Sequence, residues 1–203
     1  MGKNYPKTAS EWLVNNPDHN WLLPRVIAKW AKYDRVAASS WLEMLTNEDL
    51  ATECKVALVA EWAQYNPRSA YDWIRVKLKD DTQALAINEV LQTWAQEYPK
   101  EALDWIKEAV PVPERIQALE IILQTWSMID KDHFNSWLGQ QNPGLEKDLG
   151  LEQMARMLIN ADPEAAMKAA RLISNPVRQK TVSSELFEQW KARAPDEAAK
   201  WKP

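Results

Sequence analysis

Apolar residues recur three and four apart through most of the chain, as in Val56, Leu58, Val59 and Trp62 or in Leu119, Ile122, Leu123 and Trp126. That period marks amphipathic helices and not strands. The helices keep a register of 32 residues. Trp30, Trp62, Trp94, Trp126 and Trp190 hold one reference position, with Leu158 in the remaining copy. Eleven residues later stand Trp41, Trp73, Trp105, Trp137 and Trp201, with Ala169 as the exception. Between the two columns, four residues past the reference, lie Asp34, Asn66, Tyr98, Asp130, Asp162 and Ala194, and proline follows at 67, 99, 163 and 195. An Asp or Asn side chain accepts from the free N–H groups of a first helical turn, and proline just inside needs no such partner. Each indole pair therefore straddles a tight turn, from the end of one helix (A) to the second turn of the next (B).

Two columns of small side chains accompany the indoles. Eight residues before the reference are Cys54, Ala86, Ala118 and Gly150, broken by Leu22 and Val182; on helix B are Ala38, Ala70, Ala102, Ala166 and Ala198, with Phe134 the misfit. Small residues at fixed places allow close helix approach beside the large indoles. The linkers between B and the next A are short, and Asn16-Pro17, Asn142-Pro143 and Asn175-Pro176 read as capped helix starts. The spacing predicts an all-α chain of thirteen helices in one domain over 1–203: a half-repeat at 4–16, then repeats at 17–46, 47–79, 80–110, 111–141, 142–174 and 175–203. Trp12 precedes Trp41 by 29 residues rather than 32, so the first repeat is shortened, with Pro24 starting its helix late or kinking it. Helix pairs that bury only part of their surface must stack on neighbours, which predicts an α-solenoid. Ten indoles are expected in its core, and Trp21, outside the columns, as a cap over the open end or, alternatively, as an exposed anchor.

Composition sharpens this picture. Twelve Trp against two Phe and four Gly is a usage that one recurring structural position explains. The net charge of −4 is spread along the chain and offers no footprint for nucleic acid. No apolar run is long enough to span a membrane. No apolar leader segment opens the sequence, so the expected location is the cytoplasm, or the periplasm if a leader has been removed. The single Cys54 lies in an apolar helical run and reads as an inert buried thiol.

The Trp-Ala-x-x-(Asp/Asn/Tyr)-Pro-x-x-Ala-x-x-Trp unit resembles the tetratricopeptide-like superfamily of helix-turn-helix repeats over nearly the full length. Here Trp ends helix A, Ala-x2-Trp lies in B and proline opens B, and the period is 32 rather than 34. That family's peptide-clamping residues therefore have no counterparts to name. The resemblance implies a right-handed superhelix whose A helices line a surface for peptides or proteins.

Chemistry of other kinds is sparse. His19 and His133 are 114 residues apart with no ligand-spaced Cys or carboxylate, and His133 reads as a helix-start residue. Phosphate-loop, dinucleotide, nucleophile-elbow and metalloprotease motifs are absent from the sequence, so no catalytic residue, metal or cofactor is expected. The A helices instead carry a polar stripe: Arg25, Glu61, Glu89, Gln92, Glu120, Gln124, Glu152, Gln153, Arg156, Glu185 and Glu188. As a solvated face it supports i,i+4 pairs; as a groove, acidic in its middle and later repeats, it favours a basic or amide-rich extended partner. The fifth copy lacks both indoles and carries Met154, Met157 and Met167, a candidate for a hinge or an adaptable pocket. The expected function is a non-enzymatic scaffold or adaptor binding a protein or peptide through the A-helix face, with association through exposed repeat ends as a further possibility. The alternatives are an accessory or regulatory domain of a larger enzyme and a HEAT-like nucleic-acid binder.

Overall fold

The structure, a computed structural model, describes residues 5–201, so residue 4 of the expected half-repeat and residues 202–203 of the last repeat lie outside the described residues. Every regular element among them is helical: α1 (Tyr5–Val14), a 3-10 turn (Pro17–Leu22), α2 (Leu23–Leu42), α3 (Glu48–Ala63), α4 (Pro67–Lys77), α5 (Asp80–Glu97), α6 (Pro99–Ala109), α7 (Val112–Ile129), α8 (Lys131–Gln140), α9 (Leu145–Leu158), α10 (Pro163–Arg171), α11 (Pro176–Arg193) and α12 (Pro195–Ala198). Thirteen α-helices were expected; α2 holds two of them, joined across a kink at Asp34, whose backbone is not helical (φ −151, ψ 79). Pro24 starts α2 rather than bending it. The chain divides into two compact units between Tyr98 and Pro99.

The turn after each reference residue is one device used repeatedly. Asp34, Asn66, Tyr98, Asp130, Asp162 and Ala194 all adopt φ between −133 and −155 with ψ between 57 and 83. At Asn66, Tyr98, Asp130, Asp162 and Ala194 the backbone N–H closes onto the carbonyl of the reference residue, from Asn66 to Trp62 at 3.0 Å through Ala194 to Trp190 at 2.8 Å. Asp34, Asn66, Asp130 and Asp162 then accept from the N–H three residues on, at 2.9–3.2 Å, so the same residue ends one helix and caps the next. Tyr98 and Ala194 keep the backbone geometry without a capping side chain, and proline follows them directly. Two of the expected Asn-Pro starts differ. Asn16 opens only the 3-10 turn, its side chain donating back to the Trp12 carbonyl. α9 begins at Leu145, not at Asn142-Pro143, because Gly144 at φ 154 takes the cap position with a backbone that an L side chain rarely adopts. Asn175 does cap α11, accepting from Val177 and Arg178.

The small columns are buried: Cys54, Ala86, Ala38, Ala70, Ala102 and Ala166 are fully inaccessible. At Gly150 a Cβ would meet Leu138 Cδ1 at 2.6 Å and Trp137 Cζ3 at 3.4 Å, so α8 and α9 approach closely there and the Leu138 side chain would have to shift to admit a larger residue. Phe134, the misfit of its column, is equally buried and fills the space edge-on to Trp126, with Trp137 beside it. Of the ten columnar indoles, Trp30, Trp41, Trp94, Trp126, Trp137 and Trp190 are buried, whereas Trp62, Trp73, Trp105 and Trp201 are half-buried at the edge of the packing. The pairs Trp30–Trp41, Trp62–Trp73, Trp126–Trp137 and Trp190–Trp201 meet at 5.3–6.2 Å between ring centres, tilted or edge-on, as the aromatic quadrupole prefers. Trp21 does not act as a cap; it is 63% exposed. In the fifth copy Met167, Ala169 and Ala170 are buried, so α9 and α10 close together where the indoles are missing.

A second recurring device has no counterpart in the sequence reading. Gln83, Arg115, Lys147 and Gln179 stand 32 residues apart on the first turns of α5, α7, α9 and α11. Each donates its side-chain N–H to carbonyls at the end of the preceding helix: Leu78 (2.8 Å), Val110 (2.9 Å), Gln141 (2.8 Å), and Arg171 with Ile173 (2.6 and 3.1 Å). The last carbonyls of a helix lack internal partners, and these donors supply them.

Candidate functional site

In the second unit, α9 packs on both α7 and α8, and α11 on both α9 and α10. The packing lays α7, α9 and α11 side by side in contact and sets their outward residues along one surface. Leu123 and Leu149, both buried, form the apolar floor of a cavity of about 300 Å³ whose walls are Glu120, Gln124, Glu152, Gln153 and Arg156. The structure thus brings together Glu120, Gln124, Glu152 and Arg156 from the stripe, and Glu185 joins them by pairing with Arg156 at 2.9 Å. Glu188 is exposed on α11, outside the cavity wall. In the first unit Glu61 and Glu89 are half-buried on α3 and α5, and Gln92 is tied to its own helix through Asn88 at 3.2 Å. Arg25 lies in a separate groove between α1 and α2.

The acidic character read from the stripe is largely neutralised in this unit. Arg178, at the first turn of α11, sits 2.6 Å from Glu152 and 3.6 Å from Glu120, and Arg156 bonds Glu152 at 3.0 Å. Three carboxylates therefore share two guanidiniums. Glu152 and Arg178 have only 16% and 24% of their side chains exposed, so water screens this pair less than it would a surface pair. Burial works against the charge of Arg156, but its hydrogen bonds to Glu152 and Glu185 outweigh it and raise the guanidinium above its ordinary range. The sequence contained one signal for Arg178: Glu146 and Glu114 occupy the same column 32 and 64 residues earlier, and the sign reverses at 178. Gln153 donates to the buried Ser127 hydroxyl at 3.1 Å, which in turn donates to the Gln124 carbonyl. The cavity thus offers amide groups and a fixed, nearly balanced charge array over an apolar floor.

The groove between α1 and α2 is of another kind. It encloses about 720 Å³, is almost wholly apolar, and is bordered by Tyr5, Trp12, Leu13, Leu22 and Val26 with Arg25 and Lys29 on its rim. Trp12 is 53% exposed and its ring stacks on His19 at 5.6 Å. His133 is used locally, its backbone N–H and its ring both meeting the Asp130 carboxylate, which these bonds hold below its ordinary range. Cys54 is buried in α3, and burial, aided by Glu53, pushes its thiol up to about 12. No group of three or more His, Cys, Asp or Glu among the described residues is placed to hold a metal ion. No described helix is long and apolar enough to cross a membrane. Comparison with family models, with curated proteins and with solved structures returned no match to this chain.

Proposed function

We propose that the protein is a helical-repeat adaptor, an α-solenoid of tetratricopeptide-like pairs, that binds an extended segment of a partner protein along its A helices. The observation that carries this reading is the cleft over α7 and α9, where Gln124 and Gln153 flank an apolar floor between charges already locked by mutual pairing. A peptide backbone presents alternating donors and acceptors, which side-chain amides match without a net charge. Apolar side chains of the segment would cover Leu123 and Leu149. Because Arg156 and Arg178 compensate Glu120, Glu152 and Glu185, the preferred segment is amide-rich rather than strongly basic. The test is selection of a displayed library of linear peptides on the full chain. Selected peptides should lose at least tenfold in affinity on Gln124→Lys combined with Gln153→Lys while the helical circular dichroism is unchanged. Peptides that bind the double variant as well as the native chain would refute the reading.

A further inference from the structure

The charge array over α7, α9 and α11 is one cation short, and the surplus carboxylate can be named. Glu152 accepts hydrogen bonds from both guanidiniums, Arg156 at 3.0 Å and Arg178 at 2.6 Å, and Glu185 accepts one from Arg156 at 2.9 Å. Glu120 accepts none among the described residues. Its nearest cation is Arg178 at 3.6 Å, through the same Nη1 that bonds Glu152. The unmet negative charge therefore rests on Glu120, on the wall of the cavity of about 300 Å³.

The hydrogen-bonding groups left open beside Glu120 include two amide oxygens. Ser127 has one hydroxyl proton, and it goes to the Gln124 carbonyl at 2.9 Å. The Ser127 oxygen can then only accept from Gln153, which turns Gln153 Nε2 toward it at 3.1 Å and leaves Gln153 Oε1 without a partner among the described residues. The side-chain amide of Gln124 has none there either, and it too lines the cavity. A carboxylate and two amide oxygens thus surround an apolar floor of Leu123 and Leu149. A primary ammonium matches them with three donors and one positive charge, whereas a guanidinium brings five donors fixed in a plane. Arg156 shares the wall, but its charge is met by Glu152 and Glu185.

We infer, on the reading of this cleft as a peptide site, that it receives one internal lysine of the bound segment. The butyl stem lies along Leu123 and Leu149, and the ammonium is held by Glu120, Gln124 and Gln153. Peptides selected on the full chain that depend on Gln124 and Gln153 should share a lysine at one position. The probes are one such peptide, acetylated at its N-terminus and labelled with fluorescein, with lysine, arginine, Nε-acetyl-lysine or norleucine at that position. Fluorescence anisotropy should show the acetyl-lysine and norleucine forms binding about tenfold more weakly than the lysine form. Glu120→Gln, with helical circular dichroism unchanged, should weaken the lysine form by about tenfold and leave the norleucine form as it was. Glu188→Gln removes the same charge outside the cavity and should alter neither. Cleft-dependent peptides without a common lysine, an arginine form as tight as the lysine form, or equal losses from Glu120→Gln and Glu188→Gln would overturn the lysine anchor while the peptide cleft stands. Selected peptides indifferent to Gln124→Lys with Gln153→Lys would overturn both.

Discussion

Replacing Asp148 with alanine tests how α11 is held, and through it how the charge array of the second unit is assembled. Asp148 is 3% exposed on α9 and forms no ion pair among the described residues; its carboxylate is satisfied by the backbone N–H of Ser174 at 2.7 Å, that of Asn175 at 2.9 Å and the Ser174 hydroxyl at 2.9–3.0 Å. Asn175 in turn caps α11, and Arg178 follows in its first turn. A hydrogen bond to a charged group contributes about 1.5–3 kcal/mol, and stranding a buried donor costs a further ~1–3 kcal/mol. Ser174 and Asn175 are themselves exposed, so water recovers part of the loss, and Asp148→Ala should cost about 3–4 kcal/mol. Asp148→Asn keeps the volume but turns an amide donor toward one of the two N–H groups, and should cost about 2 kcal/mol. Urea unfolding followed by circular dichroism measures both, with the slope of the transition reporting whether the native state has loosened. A loss below about 1 kcal/mol for the alanine variant would refute the assignment of Asp148 as the anchor of this loop.

Phe134→Ala restores the alanine common to its column, yet it should destabilise by about 3–5 kcal/mol, because Phe134 is fully buried against Trp126 and Trp137; a stabilised variant in the same urea assay would contradict that packing. Trp94→Ala should cost a similar ~3–5 kcal/mol and Trp21→Ala less than about 0.5 kcal/mol, a contrast of 2% against 63% exposure that thermal unfolding resolves. The Cys54 thiol keeps its proton in the fold up to about 12 while the unfolded chain releases it near the ordinary 9.0. Stability should therefore be unaffected by this group below pH 9 and fall as pH rises through that window; Cys54→Ala should lack this component, and Ellman's reagent at pH 8 should react only as fast as the native chain opens.

The helical class, the tight turns and the two small columns were legible because each rests on local chemistry repeated at one spacing. Asp34, Asn66, Asp130 and Asp162 announce their turns by residue type, and the structure gives all six turns one backbone geometry. Tyr98 and Ala194 were readable only through the register, since neither has a side chain that caps. Gly144 was missed for the opposite reason. Asn142-Pro143 looks like every other start, and only the conformation of the next residue moves the helix two positions on. Trp21 and the half-buried Trp62, Trp73, Trp105 and Trp201 show that position on a helix does not settle exposure, which depends on whether a neighbouring helix covers that edge.

The candidate site was legible as a stripe but not as a charge array. Glu120, Glu152 and Glu185 can be counted in the sequence, but their sum has no meaning until the helices are set side by side, and Arg178 enters from a first turn that a one-dimensional reading assigns to capping. The same holds for Gln83, Arg115, Lys147 and Gln179, two amides and two cations whose mixed charge and length form no visible column. They have in common only a side-chain N–H long enough to reach back to the last carbonyls of the helix before. A function served by so many chemistries leaves little compositional trace, whereas the indole position admits almost no substitute and dominates the sequence. Gln179→Met, which keeps the length and removes the donor, separates the two ideas. If the contact with Arg171 and Ile173 fixes the linker, the variant should lose about 1 kcal/mol and exchange the amides of α11's first turn faster, while Gln179→Lys, which copies Lys147 of the previous copy, should hold both near native values. Equal behaviour of the two variants would mean that the side chain's length, and not its donor, is what the linker requires.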